Sequence, residues 1–588
     1  MKSFLKYTLA TIVGFIITTF LVFFIFMGIV ASLMPKEEVV HVKKKSILHI
    51  KLDYPIKERT SNNPLETFDL EKFEKINSLG LNDILKNIQK AKADERIKGI
   101  LLDISQIQTN IANIEEIRNA LIDFKESEKF IYAYADYYSQ SSYYLASVSD
   151  KIYMNPQGII EYKGIGSEQL FFKGALEKLG LEPQIIRHGK FKAAVEPFML
   201  DKMSNENRLQ TEKIINSIWD DIVEGISSER QISIEDLNSY ANNLTIRNGE
   251  TAEENKIIDG MKYRDELSEE LKKLADIGAK KSIRLIGLNK YSKTPAKREY
   301  KGFAKEKLAI IYASGEIVMG SGGDDQIGSA GLSETIRKAR KDSSIKAIVL
   351  RINSPGGSAL ASEIIWREVS LAKQAKPVIV SMGGVAASGG YYIACPADKI
   401  IADPNTITGS IGVFGLLLNS EKFLNDKLGI TVDRVTTNEY SDIGSFTRKL
   451  KDKERAVIQE SIEEIYDVFV NHVSDGRNMT WEEVDNIGQG RVWSGINAKE
   501  IGLIDEFGGL QDAVEIAKNA ANLEKFRIVE LPEQQDPFDQ LLKEITGQTA
   551  NMFLKNKFGK SYEYYHQIES ILNMEGVQAR LPYHLEIK

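Results

Sequence analysis

Two stretches of the chain, ERIKGILLDIS (95–105) and SSIKAIVLRIN (343–353), carry one pattern at positions 248 apart. The same offset relates YYLASVSDKIYMNP (143–156) to YYIACPADKIIADP (391–404). LEKLGLEPQIIR (176–187) resembles NDKLGITVDRVT (425–436) at an offset of 249, and RNGETAEENKIIDGM (247–261) resembles VWSGINAKEIGLIDEF (492–507) at about 246. An offset that drifts so little marks a tandem duplication. Whatever fold one copy adopts, the other must adopt as well.

Each copy alternates strand-like and helix-like segments. ILHIKLDY (47–54) and KLAIIYASGEI (307–317) open the copies, and GILLDI and AIVLRI are continuous apolar runs of the kind buried in parallel sheets. Between them, LNDILKNIQKAKAD and LSETIRKARKD place apolar residues at helical spacing. KFIYAYAD and KPVIVSMGG supply the next strand. The pattern predicts an α/β fold with covered sheets. It divides the chain into a membrane segment (1–45), a first repeat (46–284), a polar, basic linker (285–306), a second repeat (307–525) and a tail (526–588) with no counterpart in the first copy.

A duplication makes each copy a control for the other. The second copy follows AIVLRI with NSPGGSA (353–359), where the first has SQIQTNI (105–111). The second has MGGVAASGGYYIA (382–394) against YADYYSQSSYYLA (134–146), which sets Ser388 opposite Gln140. The first has GKFKAAVEPF (189–198) against NEYSDIGSFT (438–447), which sets Lys192 opposite Ser441. Each copy has kept something the other lacks.

Ser388 follows a strand and opens a helix, beside backbone N–H groups and a favourable dipole. The same small residue would also simply permit close helix packing. The Gly356–Gly357 loop ends the neighbouring strand, and glycine lets a backbone turn sharply and approach a substrate closely. Amides of Gly389 and of Gly356 or Gly357 would then make an oxyanion hole, with each donor contributing about 2.7–4 kcal/mol. A serine nucleophile needs a base, and no histidine stands in a suitable motif. Lysine can serve when burial lowers its pKa from about 10.4 towards roughly 7–8. Lys192, followed by the apolar AAVEPF, is the candidate, against the ordinary alternative of a solvated lysine on a turn.

Residues 7–34 contain 28 consecutive residues without a charge. As a helix they would extend roughly 42 Å, against an apolar bilayer core of about 30 Å. That run is too long for the apolar region of a cleaved signal peptide and lacks an A-x-A site. A retained single-pass anchor is expected. Lysines on both sides of the run leave its orientation open. The formal net charge of −7 gives no basic excess for nucleic acid, and one cysteine, Cys395, excludes an intramolecular disulfide framework. No H-E-x-x-H and no P-loop occur, so neither a metal nor a nucleotide cofactor is expected.

With FKAAVEPF, SPGGS, SMGGVAASGG and ITGSIGVFG together, the chain resembles the signal peptide peptidase A family in its long, tandem-repeat form. The resemblance implies a duplicated unit of the Clp-protease and crotonase-like kind behind one transmembrane helix. It implies a serine–lysine dyad split between the copies, with Ser388 as nucleophile and Lys192 as general base. Ser410, in ITGSIG, would orient the lysine. It further implies a homotetramer in the inner membrane with its catalytic mass on the exported side, and hydrophobic signal-peptide remnants as substrates. Two other classes compete. Acyl-CoA chemistry shares the fold but has no acyl-serine step for a fluorophosphonate to trap. A non-catalytic scaffold would keep its properties after Ser388→Ala.

Overall fold

The computed structural model describes residues 2–33, 40–63, 68–69, 74–75, 78–295, 304–323, 325–534 and 576–581. The apolar runs become the central strands of two sheets. In the first, strands are ordered Gly260–Met261, Lys151–Ile160, Phe130–Tyr138, Ile97–Asp103, Ser46–Ile50 and Leu285–Gly287, all parallel. The second repeats that order around Val378–Ala387, Ile345–Ser354 and Glu306–Ser314, closes on Phe526–Leu531, and adds one antiparallel pair between Ile407–Gly409 and Val492–Ser494.

Helices cover these sheets with the faces that the periodicity marked. Leu81–Ala93 buries Leu81, Ile84, Leu85 and Ile88, and Ser329–Lys341 buries Leu332, Ile336 and Ala339. At about 25 cal/mol per Å² of apolar surface removed from water, such stripes supply the main driving force for docking helix on sheet.

The ends of the repeats differ from expectation. Leu285–Gly287, assigned to the linker, pairs in parallel with Ser46–Ile50, and Phe526–Leu531, assigned to the tail, pairs in the same way with Glu306–Ser314. Each copy therefore closes its sheet with a strand lying after the repeat as read. The first of these is three residues long with Ile286 its only buried side chain, too little to register as a pattern. The strand at 526–531 thus does have a counterpart in the first copy.

The uncharged segment lies within one helix, Lys2–Leu33, and its last residue is outside the described ones. The side chains of this helix are described without a break only over residues 6–22, and those are exposed. Among the described residues no helix is long and apolar enough to cross a membrane.

The copies are joined in two ways. Arg351, fully buried, donates to Glu58 Oε2 at 2.7 Å and to Glu116 of the first copy, and to Ser381 Oγ at 2.8 Å within its own. A third sheet also crosses the boundary, in the order Gln326–Gly328, Glu316–Val318, Gly356–Ser358, Gln578–Arg580, Phe414–Asn419 and Glu182–Arg187. Its last two strands pair antiparallel over six residues, one strand from each copy.

Candidate active site

The strand Val378–Ala387 ends one residue before the helix Gly389–Ala394, and Ser388 makes the turn between them. Its backbone sits at φ 55°, ψ −113°, a region that L-residues occupy only under constraint. The constraint is visible. Ser388 N–H donates to Gly409 O at 2.8 Å, and its carbonyl accepts from Tyr392 N–H at 2.8 Å. The Oγ is thereby aimed away from the sheet and lies 3.4 Å from Gly412 O.

Lys192 comes to the same place from the other copy. GKFKAAVEPF folds as a turn, the short 3-10 helix Ala193–Val195 and the helical turn Glu196–Met199. Arg187 Nη1 donates to Lys192 O at 2.9 Å, and buried Glu196 accepts from Asn207 Nδ2 at 2.9 Å and from Ser204 N–H at 3.2 Å. Lys192 Nζ then lies 2.8 Å from Ser388 Oγ, 3.0 Å from Ser410 Oγ and 3.2 Å from Ser410 O. Lys192, Ser388 and Ser410 are all fully buried. Burial, the sole cause, holds the Lys192 amine well below the usual lysine range. A neutral amine beside a hydroxyl can take its proton; an ammonium cannot.

Gly356 and Gly357 stand beside Ser388 at φ 94° and 157°. A Cβ on Gly356 would meet the Gly389 nitrogen at 2.7 Å, so glycine is what allows the loop to close on the serine turn. Gly356 N–H donates to Ser354 Oγ at 3.2 Å, which leaves Gly357 as the loop amide turned elsewhere. All six expected residues (Lys192, Ser388, Ser410, Gly356, Gly357 and Gly389) are therefore gathered at one point.

The equivalent place in the first copy is closed. Gln140 Oε1 accepts from Lys163 N–H and Gly164 N–H, both at 3.0 Å, so its side chain ties down the loop that in the second copy carries Gly412. Ser441, opposite Lys192, is exposed. His188 stacks on Tyr466, with ring centroids 3.9 Å apart. The sequence reading missed the Arg187–Glu196 brace and Gly490; the pairing of a buried Glu with Arg in QIIRHGKFKAAVEPF was the available sign.

The match to known families agrees with the duplication. The model for peptidase family S49 matches residues 123–278 and again 370–524, and that for Clp protease matches 303–407. The chain belongs to peptidase family S49. Over 490 residues it is 36% identical to Protease 4 of Salmonella typhi, covering 82% of this chain and 78% of that one. Protease 4 of Haemophilus influenzae is 37% identical over 450 residues (75% and 73%), and the chloroplastic serine protease SPPA of Arabidopsis thaliana 33% over 510 (86% and 74%). This S49 member is thus a protease with a Clp-protease-like α/β fold in tandem, and the serine–lysine contact lies between its two matched segments.

Proposed function

We propose that the chain is a membrane-anchored serine endopeptidase that hydrolyses hydrophobic peptides, with remnant signal peptides as its substrate class. The observation that carries the chemistry is the 2.8 Å separation of Lys192 Nζ and Ser388 Oγ in a fully buried setting. Ser388 Oγ attacks the scissile carbonyl while Lys192 takes its proton. Amides of Gly389 and Gly357 receive the oxyanion. Lys192 returns the proton to the leaving amine and then activates the water that hydrolyses the acyl-enzyme. Ser410 holds the amine in line. The pair follows the logic of the serine triads with one base in place of two residues.

The anchor rests on the uncharged run at 7–34. A single-pass protein of the inner membrane, with its catalytic mass on the exported side and four copies assembled together, is the arrangement that the family likeness supports. The test is hydrolysis of a fluorogenic hydrophobic peptide, with fluorophosphonate labelling, for the detergent-solubilised wild type, Ser388→Ala and Lys192→Ala. Both variants should lose turnover, and Ser388→Ala should lose the label. Retained turnover in Lys192→Ala would place the base elsewhere.

A further inference from the structure

The strand Gln578–Arg580 lies in the third sheet between Gly356–Ser358 and Phe414–Asn419, antiparallel to both. Without it, those two strands would face each other across a slot one strand wide, each with an unpaired edge. Such a slot is what an extended peptide fills by β-augmentation. One wall of the slot is the glycine loop beside Ser388; the other leads out of the Gly412 loop.

The register places one peptide bond at the serine. Leu581 N–H donates to Pro355 O at 2.6 Å and Ala359 N–H to Val577 O at 3.1 Å, with Ala579 opposite Gly357 between them. The alternation of an antiparallel ladder makes Gly357 and Ala579 the pair that exchanges hydrogen bonds. The Ala579 carbonyl oxygen is also the atom nearest to a Cβ placed on Gly356, at 2.1 Å, and it would stand 3.1 Å from one on Gly389. That oxygen therefore sits between the two amides assigned to the oxyanion. Ala579 is fully buried, and Gln578 and Leu581 nearly so. On the leaving-group side Arg580 Nη1 pairs with Glu316 Oε1 at 2.9 Å.

We infer that this segment is a substrate strand and that the chain cleaves its own Ala579–Arg580 bond. The inference rests on the catalytic reading of Ser388 and Lys192. Ser388 Oγ bonds to the Ala579 carbonyl carbon as Lys192 takes the hydroxyl proton. The C–N bond to Arg580 breaks, and the proton goes to the new amine of Arg580–Lys588. Water then hydrolyses the Ala579 ester, leaving a carboxylate at Ala579 and free Ser388. A small residue on the acyl side and a cation that meets Glu316 on the other are the preferences that this fit imposes.

The test is intact-mass spectrometry of the detergent-solubilised full chain over a time course, with fluorogenic-peptide hydrolysis and fluorophosphonate labelling of the same samples. Wild type should lose the mass of Arg580–Lys588, and Ser388→Ala should keep it. A wild type that hydrolyses the peptide yet keeps its tail overturns the inference and leaves the catalytic reading intact. So does trimming at any other bond. A wild type that neither takes the label nor hydrolyses the peptide sinks both.

Discussion

Gly490 is packed directly on the backbone of Lys192: a Cβ at Gly490 would stand 2.6 Å from Lys192 Cα and 2.7 Å from its nitrogen. Gly490 also lies at φ 82° and donates its N–H to Ile411 O at 2.6 Å, so it has little room to yield. The second copy thereby fixes where the first copy's lysine can be. Gly490→Ala should displace Lys192 and lower kcat/KM for a peptide substrate by on the order of 10²-fold, the scale of a 1 Å misplacement. Strain of about 1–3 kcal/mol should accompany it in denaturant unfolding. Wild-type turnover in this variant would show that the 490 loop moves instead.

Activity should rise with pH along its acid limb. Lys192 is held below its ordinary range, and only the neutral amine accepts a proton. Lys192→Arg, charged at every accessible pH, should be inactive throughout a kcat/KM profile. A flat wild-type profile between pH 5 and 10 would remove Lys192 from the role.

The same shift sets a sign for stability. Below the unfolded pKa of about 10.4 the unfolded chain holds a proton on Lys192 that the folded chain lacks. Unfolding then takes up that proton, so wild-type stability gains as pH rises. Lys192→Met should unfold at a higher temperature than wild type near pH 7, with the gap narrowing towards pH 10. Thermal melts at three pH values decide it.

Arg351 is fully buried against Glu58 and Glu116. Arg351→Met would strand two buried carboxylates and should cost about 3–5 kcal/mol in urea unfolding. Adding Glu58→Gln and Glu116→Gln should restore part of that loss. A neutral single variant would mean the carboxylates are protonated in the folded state.

Ser410 touches the amine through both its Oγ and its carbonyl. Ser410→Ala keeps only the second contact. An approximately tenfold fall in kcat with KM little changed and a displaced acid limb are expected. An unchanged pH profile would reduce Ser410 to packing.

The strands and helices of both copies were legible because their apolar runs and helical stripes are long. So were Lys192 and Ser388, because each stands where the other copy has a residue of different chemistry. Leu285–Gly287 was not, since three residues carry no period. Nor was Gln578–Arg580: a strand that inserts between two others is specified by their edges, and its own residues need only be extended and small at one position. Glu196, buried as the anchor of the lysine turn, reads in sequence as an ordinary solvated acid.

The packing of Gly490 and Ser410 around Lys192 also bears on when the chain becomes active during its synthesis. The first half emerges from the ribosome with its lysine but without the residues that bury it. Until the second half folds, Lys192 is an ordinary hydrated cation, unable to accept a proton at neutral pH. An interrupted translation product ending between the copies would carry no nucleophile and no disarmed base. Splitting the pair across a gene duplication makes proteolytic competence a property of the finished polypeptide alone.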